Sequence, residues 1–360
     1  MKLGILTFHC AHNYGAVLQC FGLQEYLKSL GHEIFVIDYR PKYLTKGYKK
    51  HSRQDWICAN PKLTLTKLIN EPKFFASRGR RFDNFNQFIE TNLNLYPYTQ
   101  GMDFSEFDAI FLGSDQIWEA PITGGKFDDV FFGVGAKCKV ISYAASNKST
   151  QLTDDEITYY KKQLSRFSGI GVREITLQQL LSPIVDRPVV LNVDPTLLAG
   201  NLLKEGIDDK RLLNYKYVLV YEIVEHRQVI DKAREYAKGI GAKVVMLSAY
   251  LQYTDTDIRD QEASPADFVN YIRHAECVFT TSFHGTAISI LCQTPFYCFR
   301  QRTSSDLRIE SLLKMVGLEE RFVEMNEQLQ EKDVDFLAAM QLLENATNNS
   351  RNFIMESIKY

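Results

Sequence analysis

The sequence has no long hydrophobic run. Nowhere in its 360 residues do about 18 uncharged apolar residues follow one another, which is the length that a membrane-spanning helix requires. The first residues, Met1 to Phe8, contain one basic residue and a very short apolar run, without the apolar core and small-residue cleavage site of a signal peptide. We therefore expect a cytoplasmic protein that is not integral to a membrane.

Paired cysteine motifs and a large net charge are also missing. The seven cysteines are an odd number without a CxxC pair, and most lie in apolar segments, so we expect reduced, buried thiols. The formal net charge of -2 at pH 7 gives no overall attraction to nucleic acid. We predict no nucleic-acid partner.

Motifs for metals and nucleotides are absent too. No GxGxxG follows the first predicted strand, and no GxxxxGK followed by Ser or Thr occurs. His9 and His12 lie in a loop without cysteine or carboxylate partners at ligand spacing. Asp38 ends the second predicted strand, and without the dinucleotide glycines we interpret it as a cap or turn residue. We predict neither a metal nor a cofactor.

One local concentration of positive charge occupies residues 40–53. Its six basic residues occur without an acid and are Arg40, Lys42, Lys46, Lys49, Lys50 and Arg53. A solvated loop is one interpretation, because charge runs commonly are solvated. The other is a contact with anionic lipid head groups or a lipid-linked diphosphate acceptor, to which Arg78, Arg80 and Arg81 would add. The second interpretation makes the protein peripheral to the inner face of the membrane.

Apolar strands alternate with helical periodicity along the chain. Lys2 to Phe8 predicts a strand, a one-sided apolar pattern from Ala16 to Leu30 predicts a helix, and Glu33 to Tyr39 predicts the next strand. This order favours a parallel sheet with right-handed crossovers. The alternation restarts at Val189 to Val193, which is expected to open a second sheet. The sequence therefore predicts two Rossmann-like α/β domains.

The predicted domains are residues 1–184 and 185–330, followed by a C-terminal helical tail over 331–360. The boundary lies in the proline-containing segment 182–188. Residues 41–100, with a helical stretch at 62–70, are predicted to be a helical, basic insertion in the first domain. Two such domains bind ligands at the carboxyl ends of their strands, in the crevice between them.

Unusual polar clusters follow the predicted strands, and the segment 282–286 is the most distinctive. A turn of small residues that leads into a helix presents backbone N–H groups to a phosphate or carboxylate. His284 lies at its mouth and can take up or release a proton near neutral pH. The alternative is a histidine that caps its own helix or binds a strand carbonyl.

Three further side chains are candidates for the cleft. Arg173 ends a strand and Arg308 follows a polar run, and an arginine fork recognises carboxylate or phosphate; the alternative is a surface salt bridge. Asp115 could accept a proton from a sugar hydroxyl, with the indole of Trp118 as a stacking platform. The alternative is a turn aspartate that binds its own backbone.

In this order the residues resemble the polysaccharide pyruvyl transferase family. The matching segments run from near residue 1 to about residue 325 and are 13–19, 113–118, 142–146, 172–174, 194–198, 282–286 and 308–313. The resemblance implies a two-domain fold similar to GT-B glycosyltransferases. It also implies transfer of the enolpyruvyl group of phosphoenolpyruvate to two hydroxyls of a sugar in a cell-surface polysaccharide precursor, which forms a pyruvate ketal and releases phosphate.

On this resemblance, His284 and Asp115 are expected to be catalytic. His284 would assist protonation of the enol ether or departure of phosphate, while Asp115 accepts a proton from the attacking hydroxyl. The expected substrate-binding residues are Arg173, Arg308, Ser282, Gly285, Thr286, Asn13, Tyr14, Gly15, Gln116, Trp118 and Ser146. One departure is Ser282, where some relatives carry an arginine.

The expected partners are phosphoenolpyruvate as co-substrate and a saccharide acceptor, with a lipid-linked form as one option. Two other functions stay open at this point. One is a GT-B glycosyltransferase that uses a nucleotide-sugar, and the other is a non-catalytic sugar-binding protein.

Overall fold

A computed structural model of the protein describes residues 1–46, 72–248, 256–330 and 333–359. Within them, the strands of the first sheet are Lys2–Leu6 (β1), Glu33–Asp38 (β2), Leu95–Pro97 (β3), Ala109–Leu112 (β4), Lys139–Ala145 (β5), Gly169–Val172 (β6) and Val189–Leu191 (β7). They are parallel and lie in the order β3-β2-β1-β4-β5-β6-β7.

The described strands of the second sheet are Tyr217–Tyr221 (β8), Lys243–Leu247 (β9), Ile258–Asp260 (β10), Cys277–Thr280 (β11), Phe296–Phe299 (β12) and Phe322–Val323 (β13). These strands are also parallel, in the order β10-β9-β8-β11-β12-β13. Both sheets thus have the 3-2-1-4-5-6 order of the Rossmann fold, whose ligands bind where the strand order reverses. This topology confirms the predicted α/β fold, with two Rossmann-like domains as in the GT-B architecture.

Helices connect the strands and cover both sheets. Their bounds in the described chain are Tyr14–Ser29 (α1), Lys42–Thr45 (α2), Pro72–Asn92 (α3), Asp154–Leu164 (α4), Ile175–Leu181 (α5), Pro195–Ala199 (α6), Asn201–Glu205 (α7), Arg227–Ile240 (α8), Pro265–Arg273 (α9), Phe283–Cys292 (α10), Asp306–Val316 (α11) and Phe336–Ile358 (α12). Ser264 caps α9, and it exchanges hydrogen bonds with Asp267 in a capping box. The helix predicted at 62–70 lies outside the described residues.

The division between the domains differs from the prediction. Val189–Leu191 forms β7 and pairs with β6 in the first sheet, so this sheet extends past the predicted limit at 184. A short apolar strand carries no local mark of the sheet that it joins, which explains the error. The tail is helical as predicted, and α12 occupies most of it, from Phe336 to Ile358.

The end of α12 returns to the first domain. The Ser350 hydroxyl accepts a hydrogen bond from the Val193 amide at 3.0 Å. Lys139 Nζ donates to the Lys359 carbonyl at 2.8 Å. The C-terminal helix therefore fastens the two halves of the molecule together on the side of β5 to β7.

A continuous apolar core joins the facing sides of the two domains. It includes residues of α1, α6, α9 and α10, and the ring of Tyr14 in the first domain stacks on Phe268 of the second with centroids 4.5 Å apart. The six described cysteines are free, and four of them are buried. No helix in the described residues is long and apolar enough to cross a membrane.

Candidate active site

The first turns of two helices from different domains meet at the carboxyl edges of the sheets. Asn13 caps α1, and its side chain accepts hydrogen bonds from the Gly15 and Ala16 amides. Ser282 caps α10 by accepting one from the Gly285 amide, so the predicted turn at 282–286 is the cap and first turn of this helix. Since helix N-termini carry partial positive charge, their junction favours an anion.

The imidazole of His284 lies directly against Gly15. A Cβ atom on Gly15 would stand 1.9 Å from His284 Nδ1, so only glycine permits this approach. On the other side of the ring, Nε2 is 3.5 Å from Asp194 Oδ2. His284 is 7% exposed. It does not cap its own helix, because Ser282 does, and that alternative is wrong.

Asp194 precedes α6 and uses its two carboxylate oxygens differently. Oδ1 accepts hydrogen bonds from the amide and the hydroxyl of Thr196, at 3.0 and 2.8 Å. Oδ2 accepts one from Arg173 Nη1 at 2.6 Å. Burial opposes ionisation, but His284, Arg173 and the Thr196 amide hold the pKa of Asp194 well below its usual range. A buried negative charge therefore stands beside His284.

Arg173 is a buried residue surrounded by carboxylates. Besides its bond to Asp194, its Nε lies 3.4 Å from Glu174 and its Nη2 lies 3.7 Å from Asp115. Nη1 also donates to the Ser114 hydroxyl at 3.3 Å. With 4% of its surface exposed, Arg173 is not part of a surface salt bridge, and that alternative is wrong.

Arg308 and Lys148 add positive charge to the same cluster. The guanidinium carbons of Arg173 and Arg308 lie 4.8 and 5.9 Å from the centroid of the Phe283 ring. Burial, and then the proximity of Arg173, lower the pKa of Arg308. Burial and the proximity of Arg308 likewise lower the pKa of Lys148. Bringing these cations together costs free energy that a bound anion would recover.

Buried hydrogen-bond donors in this cluster exceed the acceptors. Of the buried nitrogen atoms in the described residues that lack a hydrogen-bond partner, five belong to this cluster: Arg173 Nη2, Arg308 Nε, His284 Nε2, Gln116 Nε2 and Asn192 Nδ2. The unpaired acceptor here is Glu174 Oε2. Because each unpaired buried group costs about 1–3 kcal/mol, the cluster is suited to a ligand rich in acceptor oxygens, such as a carboxylate or phosphate. Arg173, Arg308 and Asn192 line a common narrow pocket.

Asp115 follows β4 and reaches the edge of this cluster. Its side chain is 14% exposed, and in the described chain it forms no hydrogen bond to its own backbone. Gln116 stands next to it, whereas Ser146 is fully buried and donates a hydrogen bond to Glu174. Ser146 therefore holds Glu174, and its contact with substrate stays a prediction. Burial raises the pKa of Glu174, although Arg173 and Ser146 partly offset this effect.

Trp118 does not provide the predicted stacking platform. Its indole is fully buried, lies 5.2 Å from the Phe132 ring and donates from Nε1 to the Phe131 carbonyl at 3.1 Å. An aromatic core therefore occupies both the ring and its polar N–H group, and no face remains for a sugar. The predicted contact between Trp118 and substrate is wrong.

Three other residues that were expected to contact substrate are buried or packed against the protein's own residues. Tyr14 is buried and its hydroxyl donates to the Ala263 carbonyl at 3.1 Å. Thr286 is fully buried and donates to the Ser282 carbonyl at 3.1 Å. Gly285 packs against Thr280, 2.4 Å from where its Cβ would lie. Tyr14 joins the domains, while Gly285 and Thr286 build the helix start that supports His284.

In the first loop, His9 is hydrogen-bonded to Asp38. His9 Nε2 lies 2.8 Å from Asp38, which also pairs with Arg40 at 2.6 Å. Asp38 is the last residue of β2 and binds these two side chains, so it is not the predicted cap or turn residue. His12 stacks on Phe85, and burial together with the charge of Arg81 lowers its pKa to about 4. No group of three His, Cys, Asp or Glu residues that could hold a metal occurs in the described chain.

Only part of the basic segment can be located. Lys49, Lys50 and Arg53 lie outside the described residues. Of the arginines expected to add to it, Arg80 pairs with Glu262 of the second domain, and Arg81 donates to the Tyr14 hydroxyl. The contact with lipid head groups stays a prediction.

Six residues of the cluster were not among the predicted site residues: Ser114, Lys148, Glu174, Asn192, Asp194 and Phe283. Ser114, Glu174 and Asp194 contact Arg173, and the Phe283 ring lies near the guanidinium groups of Arg173 and Arg308. The sequence could have indicated these residues, because each is close to a predicted site residue or stands in a polar cluster after a strand. The pairing of Asp194 with His284, 90 positions away, has no signal in a single sequence.

Comparisons with known proteins give one family and a group of structural relatives. A sequence model described as polysaccharide pyruvyl transferase matches residues 13–302. No curated protein sequence matches the chain.

Several solved structures have a similar fold. UGT89C1 of Arabidopsis thaliana is 10% identical, with a TM-score of 0.48 and 99% of each chain covered. UDP-GlcNAc 2-epimerase from Methanocaldococcus jannaschii is 10% identical, with a TM-score of 0.48 and coverage of 96% of this chain and 92% of that one. MnaA of S. aureus, in a co-structure with UDP, is 11% identical, with a TM-score of 0.45 and coverage of 99% and 90%. Likeness at this level says nothing about donor or acceptor.

Proposed function

The chain belongs to the polysaccharide pyruvyl transferase family, and from this premise we propose that it transfers the enolpyruvyl group of phosphoenolpyruvate to two hydroxyls of a saccharide. The product is a cyclic pyruvate ketal, and phosphate is released. The acceptor in this proposal is the sugar of a cell-surface polysaccharide precursor.

The surplus of buried hydrogen-bond donors is the observation that best supports phosphoenolpyruvate as the co-substrate. Phosphoenolpyruvate carries a carboxylate and a phosphate, and both present acceptor oxygens in fixed positions. Arg173 Nη2 and Arg308 Nε lack acceptors within the described residues, and the capped start of α10 adds its partial positive charge. Two anionic groups on one small molecule match two guanidinium groups and a helix N-terminus.

The proposed reaction balances without a cofactor. Protonation of the donor's methylene carbon turns its central carbon into an electrophile, which the first sugar hydroxyl attacks. The bond between this carbon and the phosphate oxygen then breaks, and the second hydroxyl closes the ketal. The two hydroxyls lose two protons, of which one ends on the new methyl group and the other on the released phosphate.

The roles of the side chains follow from their positions. His284, held beside the charged Asp194, supplies a proton to the enol ether or to the departing phosphate. Asp115, at the partly exposed edge of the cluster, accepts a proton from the attacking hydroxyl. Arg173 and Arg308 stabilise the charge that develops on the leaving phosphate. The identity of the acceptor, its lipid link and the membrane contact of residues 40–53 remain predictions from the sequence.

A binding experiment tests the donor. Phosphoenolpyruvate should raise the unfolding temperature and bind in calorimetry, whereas nucleotide-sugars should not. Arg308→Gln should weaken binding of phosphoenolpyruvate about tenfold or more, because a hydrogen bond to a charged group contributes about 1.5–3 kcal/mol. The matched control is Arg302→Gln, whose side chain is 79% exposed and which should leave the affinity unchanged. Binding of a nucleotide-sugar alone would refute the proposal in favour of a glycosyltransferase.

A turnover experiment tests the chemistry. With a panel of methyl glycosides as acceptors, phosphate release should require both donor and acceptor. His284→Ala and Asp115→Asn should each lower kcat by about 10²- to 10⁴-fold, while His32→Ala, at the opposite edge of the first sheet just before β2, should not. Near-normal turnover in either variant would remove that residue from the mechanism. Donor binding unaffected by His284→Ala, with no phosphate release from any glycoside, would favour a sugar-binding protein.

A further inference from the structure

Asp194 connects functional groups of the two domains. It lies in the chain that leaves β7 of the first sheet and begins α6. Its carboxylate contacts Arg173, which follows β6, and the ring of His284 in the second domain. Among the carboxylates of the described residues, that of Asp194 lies within 4 Å of the His284 ring.

We infer that Asp194 is a positioning residue that fixes the orientation and proton of the His284 imidazole, a role that rests on the proposed transfer reaction. Capping α6 requires only Oδ1, which receives both hydrogen bonds from Thr196. Oδ2 is left to face Arg173, Ser114 and His284, at 2.6, 3.5 and 3.5 Å. Capping α6 therefore does not explain the position of the Asp194 Oδ2 atom.

The geometry of the ring supports this role. Gly15 closes the side of His284 that carries Nδ1, and Asp194 faces the side that carries Nε2. A ring confined between two neighbours cannot turn freely, and a carboxylate next to Nε2 favours the tautomer that carries its proton there.

The other charges around His284 have opposite effects. Asp115 and Glu174, after β4 and β6, favour the protonated ring, as Asp194 does. Arg173, Arg308 and the N-termini of α1 and α10 disfavour it. Among these groups Asp194 has the shortest contact recorded with the ring, and its pKa is held low by His284 among other causes. The influence between two titrating groups is mutual.

The first test needs no catalytic activity. Nitrogen NMR of histidine-labelled protein, assigned with His284→Ala, should show the proton of neutral His284 on Nε2. In Asp194→Asn the pH at which His284 titrates should fall by about one unit or more, because an opposite charge within 4–6 Å favours the charged form by about 1–3 units. The control Thr196→Val removes a bond to Oδ1 only and should leave this titration in place.

Kinetics provide the second test. Asp194→Asn should lower kcat about 10²-fold and move the pH profile of kcat in the same direction as the NMR titration, with KM for phosphoenolpyruvate changed only a few-fold. A purely structural role would change the unfolding temperature but not the pH profile.

The two proposals fail in different ways. Absence of donor binding and turnover in the wild-type protein would overturn the proposed function, while the NMR titration would still report on Asp194. An Nδ1 proton on neutral His284 in the wild-type protein would overturn the role of Asp194, and this result does not depend on whether Asp194→Asn folds. An unchanged titration in a folded Asp194→Asn variant would overturn it as well.

Discussion

Replacing Gly15 with alanine should disable the site while leaving the fold in place. The added Cβ would stand 1.9 Å from His284 Nδ1 and 2.1 Å from its Cγ. Ordinary contact begins near 3.4 Å, so the ring or the start of α1 has to move by about 1.5 Å. Such a displacement exceeds the misplacement of about 1 Å that costs about 10²-fold in rate. We therefore expect kcat for phosphate release to fall by about 10²-fold or more.

Two effects on stability oppose each other in this variant. Alanine is favoured over glycine by about 1 kcal/mol inside a helix, and Gly15 belongs to α1. Overpacking against His284 costs about 1–3 kcal/mol. The free energy of unfolding should therefore fall by no more than about 2 kcal/mol, and the protein should remain folded.

The matched control is Gly239→Ala in α8. Nothing lies within 4 Å of the position of its added Cβ, so this variant gains helix propensity without a clash. It should be slightly more stable than the wild-type protein, with unchanged turnover. Wild-type kcat in folded Gly15→Ala would refute the claim that His284 requires its present position.

The remaining predictions concern residues outside the reacting groups. Trp118→Phe should lower the free energy of unfolding by about 1–3 kcal/mol, because the Phe131 carbonyl loses its hydrogen-bond donor. The KM for the acceptor sugar should not change. A large rise in that KM at unchanged stability would show that the indole contacts substrate. His12 has a pKa of about 4 when folded, below its ordinary value of 6.5, so the stability that it contributes is complete above pH 6.5 and is lost as the pH falls through about 4. Chemical denaturation should show about 3 kcal/mol of this loss in the wild-type protein and less in His12→Gln; equal pH dependence in both proteins would show that His12 is not the cause.

Local patterns were sufficient for most of the fold. Apolar runs predicted the strands that begin at Lys2 and Glu33, and the one-sided apolar pattern from Ala16 to Leu30 predicted α1. These signals lie within a few residues of one another, where backbone geometry and side-chain spacing act directly. The sheet that β7 joins depends on its pairing with β6, 19 residues earlier in the chain, and the sequence pattern therefore assigned it wrongly.

The sequence by itself determined which segments carry polar groups at strand ends, and it led to His284, Asp115, Arg173 and Arg308. Only the tertiary structure decided which of these groups meet. The burial of Trp118, the approach of Gly15 to His284 and the shared contacts of Asp194 arise from packing between elements far apart in the chain. Distances across a domain interface depend on how whole helices and sheets pack, and a residue pattern of one chain contains no measure of them.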